Sequence, residues 1–169
     1  MDALKSDDVD SILPLFLPVD SEAYYGIAGT AVRTLMRLVD TGLYPDKAYI
    51  MQKTEDENGA LQKVEGEKGF VSALGGKGNA LQFTASVFGQ EKFAAVDEDA
   101  LDAIGELLNC INGLYVSECK DGSSLELMPP SFKTGIQGFE SRKMLVLPIH
   151  IKNDCVDLMI AIGDEIEMK

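Results

Sequence analysis

With 169 residues, 46% of them apolar and 25% charged, the chain has the make-up of a globular protein with one ordinary core and is short for two domains. A formal net charge of −13 excludes a surface that neutralises a nucleic-acid backbone and disfavours anionic membranes. No apolar run approaches the ~20 residues that span a bilayer, and the acidic opening "MDALKSDDVD" lacks the basic start of a secretory signal, so the cytoplasm is the expected compartment.

Residues 1–19 read as an irregular N-terminal segment, because Pro14 and Pro18 interrupt the apolar "ILPLFLPV". Residues 20–169 then read as one domain. Asp20 or Ser21 is a candidate N-cap for a long amphipathic helix, with Tyr24, Ile27, Ala31, Leu35 and Leu38 at spacings of three and four and Gly42 and Pro45 as stop signals. "KAYIMQK" reads as a short strand, and the polar "TEDENGALQ" after it as a turn or loose loop. The apolar runs flanking "KGN" in "GFVSALGGKGNALQFTASVF" predict a β-hairpin, followed by a short helix in "GQEKFAAV". A second long helix is expected from about Asp97 to Tyr115, with Asp97, Glu98 and Asp99 at its electropositive start. "DGSS" turns the chain into "LELMPP". A second hairpin joins "KMLVLPIHI" to "CVDLMIAIG" through residues 152–154, with Pro148 at an edge or bulge.

Helices and hairpins alternating in this way indicate an α+β fold, an antiparallel or mixed sheet with two long helices packed on one face. Cys110, Cys119 and Cys155 are an odd number, widely spaced and without a C-x-x-C, which reads as reduced packing residues. His150, the one histidine, lies in an alternating run without a nearby ligand cluster, and no G-x-S-x-G signature accompanies it.

The second long helix carries polar residues that no cap or turn requires, in "GELLNCING". On a helical wheel with Asp102 at zero, Glu106 falls at about 40°, Asn109 at about −20° and Gly113 at about 20°. Leu101, Ile104, Leu108, Ile111 and Tyr115 cluster on the opposite side, at about 180–260°. The apolar stripe therefore sends Asp102, Glu106, Asn109 and Gly113 to one exposed line. Gly113, which costs about 1 kcal/mol relative to alanine, offers low relief where another backbone can approach. Spacing alone does not give these residues chemistry, since exposed Asp, Glu and Asn on a helix are ordinarily just solvated.

"DAIGELLNCINGLY" followed by "DGSSLELMPPSFKTG" resembles the signature of the CheC/CheX/FliY phosphatases of bacterial chemotaxis, most of all the CheX branch. The pattern is an acidic or hydroxyl residue, Glu four positions on, Asn three after that, Gly four further, then a hairpin ending in Pro-Pro. Here these are Asp102, Glu106, Asn109, Gly113 and Pro129-Pro130. "GFVSALGGKGNALQFTASVF" is similar to the family's glycine-punctuated first hairpin, and the resemblance covers roughly residues 66–163. The first long helix carries no Glu-x-x-Asn, so there is one candidate site where CheC-type proteins have two.

The resemblance implies a CheC/CheX-like fold and hydrolysis of the aspartyl-phosphate of a CheY-like receiver domain. Asn109 would orient the attacking water, as a glutamine does in GTPases, a benefit of position and not of basicity. Glu106 would pair with the receiver's lysine, Asp102 would add a weaker contact, and Gly113 would permit close approach. No cofactor of its own is implied, Mg2+ arriving with the receiver, and such proteins commonly form homodimers through their sheets. The alternative is a non-catalytic module of the same fold that docks receivers or flagellar-switch proteins, for which an amide projecting into a partner's active site has no use.

Overall fold

A computed structural model describes residues 8–18, 20–119 and 124–169. Period-two alternation of apolar residues builds its centre. The hairpin of β3 (Asn58–Glu65) and β4 (Phe70–Gly76) joins that of β7 (Phe139–Ile151) and β8 (Asp154–Ile162) through β4 and β8. Short strands complete the sheet: β1 (Tyr44–Pro45), β2 (Tyr49–Lys53) and β9 (Glu167–Met168) pair with β7, while β5 (Glu126–Leu127) and β6 (Ser131–Lys133) pair with β3. Every pairing among the described residues is antiparallel.

Register decides which side chains face which layer, because a one-residue slip would exchange the two faces. Leu74 lies opposite Leu158, and Leu147 opposite the same residue on the other side. These and their i±2 neighbours form a core with the helices, whereas Val71, Ala73, Val146 and Met159 form a smaller core on the far face with Phe139 and Ile136. β4 is buried along its whole length because both faces are covered.

The helices lie on one face, as expected for α2 (Glu22–Leu38) and α4 (Glu98–Glu118). Leu101, Ile104, Leu107, Leu108 and Ile111 of α4 are each at most 1% exposed, so each contributes roughly 1.5–3 kcal/mol of burial. That stripe fixes the rotation of α4 about its axis.

Three elements differ from expectation. "ALQFTASVF" forms not a strand but helix α3 (Asn79–Gly89). Its Phe, Thr and Val content favours strands, yet Ala80, Leu81, Thr84 and Ala85 bury at helical spacing. The Asp154 side chain accepts from the Ala80 N–H at 2.8 Å, satisfying a first-turn donor. The hairpin lies one segment upstream, because "NGALQ", read as part of a loop, opens β3, the partner of β4. Gly66 and Lys68, both at positive φ, make the turn between them. "GQEKFAAV" is not a helix beyond the end of α3. It is held against α3 by Gln82 Nε2 donating to Phe93 O and by Phe93 N donating to Ser86 Oγ.

The N-terminal stretch read as irregular contains α1 (Val9–Ile12) and a 3-10 turn (Leu13–Leu15). Val9, Leu13 and Leu17 are buried in the main core, and Arg33 of α2 pairs with Asp10. The turn expected at "DGSS" falls largely outside the described residues. No helix among those residues is long and apolar enough to cross a membrane.

Candidate functional site

Asp97 starts α4, its Oδ1 accepting from Ala100 N at 2.9 Å, with Glu98 and Asp99 in the first turn. Asp102, Glu106 and Asn109 then emerge on the solvent face, as the apolar stripe requires, and Gly113 is half-buried one turn further on. Among the described residues no hydrogen bond or ion pair ties down Asp102 or Glu106. A Cβ added at Gly113 would lie 3.9 Å from Leu127 Cδ2, an ordinary contact, so this position faces the chain's own β5.

Asn109 differs from its neighbours. It is exposed, yet its Oδ1 accepts from Gln62 Nε2 at 2.7 Å. Gln62 stands on β3 between Ala60 and Val64, in the row that faces the helices, and is 0% exposed. The same Nε2 donates to Met128 O at 2.8 Å, and Gln62 Oε1 accepts from Asn112 Nδ2 at 2.8 Å. Asn112, also 0% exposed, donates to Ser72 Oγ at 2.9 Å and accepts from it at 3.1 Å. A buried amide left unsatisfied would cost about 1–3 kcal/mol, and here each is paired. The network joins α4, β3, β4 and the segment before Pro129-Pro130.

The prolines come close to the helix. A Cβ added at Gly105 would stand 3.1 Å from Pro130 Cβ, so glycine at this buried position lets Pro130 seat beside Glu106. Pro130 against Gly105 and Met128 O on Gln62 thus bring the proline segment up to the part of α4 that carries Glu106 and Asn109. Such a surface can donate and accept hydrogen bonds and pair with a cation, but it has no nucleophile–base pair.

Gln62, Ser72, Asn112 and Met128 were not anticipated from sequence. Gln62 was hidden by reading its strand as loop; in "GALQKV" it interrupts an apolar alternation, and a buried polar residue is the informative kind. Asn112 sits beside the apolar stripe, at about 280° on the same wheel.

His150 lies elsewhere, stacked on Tyr44 at 4.7 Å between ring centroids, its Nε2 3.0 Å from Asp46 Oδ2. The three cysteines are free, and burial pushes the Cys155 thiol up to about 11. No group of three or more His, Cys, Asp or Glu side chains fit to hold a metal occurs among the described residues. On the far face of the sheet Asp56 and Asp157 approach one another. Burial, and then the neighbouring Asp56, push Asp157 up to about 8, and Asp56 is also raised by burial. Asp56 Oδ2 is buried without a hydrogen-bond partner among the described residues.

The family model described as chemotaxis phosphatase CheX matches residues 59–150. Among curated proteins, none matches the sequence. The chain shares its fold with a CheC-like superfamily protein from Shewanella sp. PV-4, at a TM-score of 0.71 and 14% identity over 86% of this chain and 99% of that one. CheX from Desulfovibrio desulfuricans superposes at 0.70, with 13% identity over 84% of this chain and 99% of that one. A CheX–CheY–BeF3–Mg2+ complex from Borrelia burgdorferi matches at 0.60, with 16% identity, covering 83% of this chain and 97% of that one.

Proposed function

The chain belongs to the family of the chemotaxis phosphatase CheX, and from that premise we propose that it hydrolyses the aspartyl-phosphate of a CheY-type receiver domain with Asn109 and Glu106 as its working pair. The observation that carries this reading is an exposed carboxamide one turn beyond an untethered carboxylate, on a helix whose opposite face is locked into the core. The two residues lie about 4.5 Å apart along the helix axis, within one another's reach on a partner. The crystallised complex of the Borrelia burgdorferi CheX with CheY supports the reading, because a protein of this fold there engages such a partner.

An acyl phosphate is already activated, and the receiver supplies Mg2+ and a lysine against the phosphoryl charge. What remains is to hold a water in line with phosphorus. One lone pair of Asn109 Oδ1 is taken by Gln62, and the other is open to the water's O–H. The water's oxygen then forms the new P–O bond, the acyl P–O bond breaks with its electron pair passing to the receiver's aspartate, and the water's protons end on phosphate or solvent. Asn109 Nδ2 donates to a phosphoryl oxygen. Glu106 pairs with the receiver's lysine and sets the register of docking. Asp102 adds a weaker contact at the rim. A receiver-domain substrate would put the protein in the cytoplasm. A second copy of the chain would fit β2, where Tyr49, Ile50 and Met51 are 51%, 41% and 40% exposed on the sheet's border.

The test follows the decay of a receiver phosphorylated with a small phosphodonor, with and without the chain. Acceleration that Asn109→Ala reduces by about 100-fold supports the reading. Binding without acceleration would make the protein a docking module.

A further inference from the structure

We propose that Gln62 is the positioning residue of this site, deciding which end of the Asn109 carboxamide faces the receiver; the inference rests on the function proposed above. Met128 O is a backbone carbonyl and can only accept, so the end of the Gln62 amide that meets it must be the NH2. One of its two hydrogens goes to Met128, and the other to Asn109. The opposite end, Oε1, accepts from Asn112 Nδ2, and Ser72, whose hydroxyl can both donate and accept, holds that asparagine in place. Gln62 therefore cannot turn over without setting its own oxygen against the Met128 carbonyl, acceptor against acceptor. The same holds one step further out. An inverted Asn109 would place its NH2 against that of Gln62 at 2.7 Å, so Oδ1 stays on the Gln62 side with its second lone pair left for the water, and Nδ2 is the end free to donate to the partner.

The consequence for catalysis is entropic and electronic. An exposed asparagine ordinarily samples several rotamers and both amide orientations, and freezing them in the complex would raise the barrier. Here the buried network holds them beforehand. Asn112, Gln62 and Asn109 also form a chain running N–H to C=O in one direction, so each amide polarises the next. It ends in the outward N–H groups of Asn109, where a phosphoryl oxygen would sit. Because Met128 shares the nitrogen of Gln62, the segment leading into Pro129-Pro130 belongs to the same lock.

Gln62→Met preserves shape and removes both donors. In the folded wild-type chain, 15N relaxation should give the Asn109 side-chain amide an order parameter close to about 0.85, as for rigid backbone, falling below about 0.6 in Gln62→Met. In the receiver assay that variant should lose about tenfold in kcat with KM within about twofold of wild type. A merely structural glutamine would lower the melting temperature without loosening Asn109 in the folded fraction. A mobile Asn109 amide in the folded wild-type protein overturns the proposal even if Gln62→Met fails to fold, and so does a folded Gln62→Met with wild-type kcat. A rigid amide in a wild-type chain that does not accelerate receiver decay would overturn the function instead, and leave the lock standing.

Discussion

An amide is suited to this surface because it accepts with one atom and donates with the other while carrying no charge. Asn109→Asp would set an anion beside the phosphoryl group, and should lower kcat about as far as Asn109→Ala, about 100-fold. Glu106→Ala should cost a comparable factor in kcat/KM, and Asp102→Ala little; decay of the phosphorylated receiver reads all three. Asn109→Ala removes the acceptor of one N–H of the buried Gln62, so its unfolding free energy should fall by about 1–3 kcal/mol, less where water reaches the opened site. The outward direction of Asn109 was legible from the helical wheel, since five apolar residues leave only one side free. Its inward tether was not, because Gln62 lies 47 positions away on a strand whose first residues look like a polar loop.

Among the elements, α4 was readable almost to its ends, with acidic residues at the start and a strong apolar stripe. The hairpin of β7 and β8 was equally plain, alternating on both sides of a tight turn. α3 was misread because its β-branched and aromatic residues mimic a strand, while burial of Ala80, Leu81, Thr84 and Ala85 and a carboxylate from elsewhere, Asp154, at its first turn support the helix. β3 was missed for the converse reason: "TEDEN" ahead of it dilutes the alternation. The cap of α4 should be separable from the site's chemistry. Asp97→Ala removes the acceptor for Ala100 N and should lower stability by about 1 kcal/mol, seen as an earlier denaturant midpoint, with the folded protein's rate in the receiver assay unchanged.

For the whole molecule, the charge of −13 works against long-range attraction to an acidic receiver. KM for such a receiver should therefore fall as salt is raised toward about 0.15 M, because screening weakens the general repulsion more than the close Glu106–lysine contact proposed above. The acid pair across the sheet sets a pH dependence of stability. Asp157, at about 8 when folded against about 3.9 in the unfolded chain, holds its proton in the native state, so stability is greatest below about pH 4 as far as this group is concerned. Its contribution is lost as pH rises through the folded value. Asp157→Asn should flatten the decline between about pH 5 and about pH 8 in urea unfolding, and an unchanged slope would dismiss the pair. The bonds that converge on Gln62 join residues 47, 50 and 66 positions apart. A nascent chain halted before residue 128 would thus display the helical motif with its amide still swivelling, and competence would arrive only when synthesis has passed the prolines and distant segments have met.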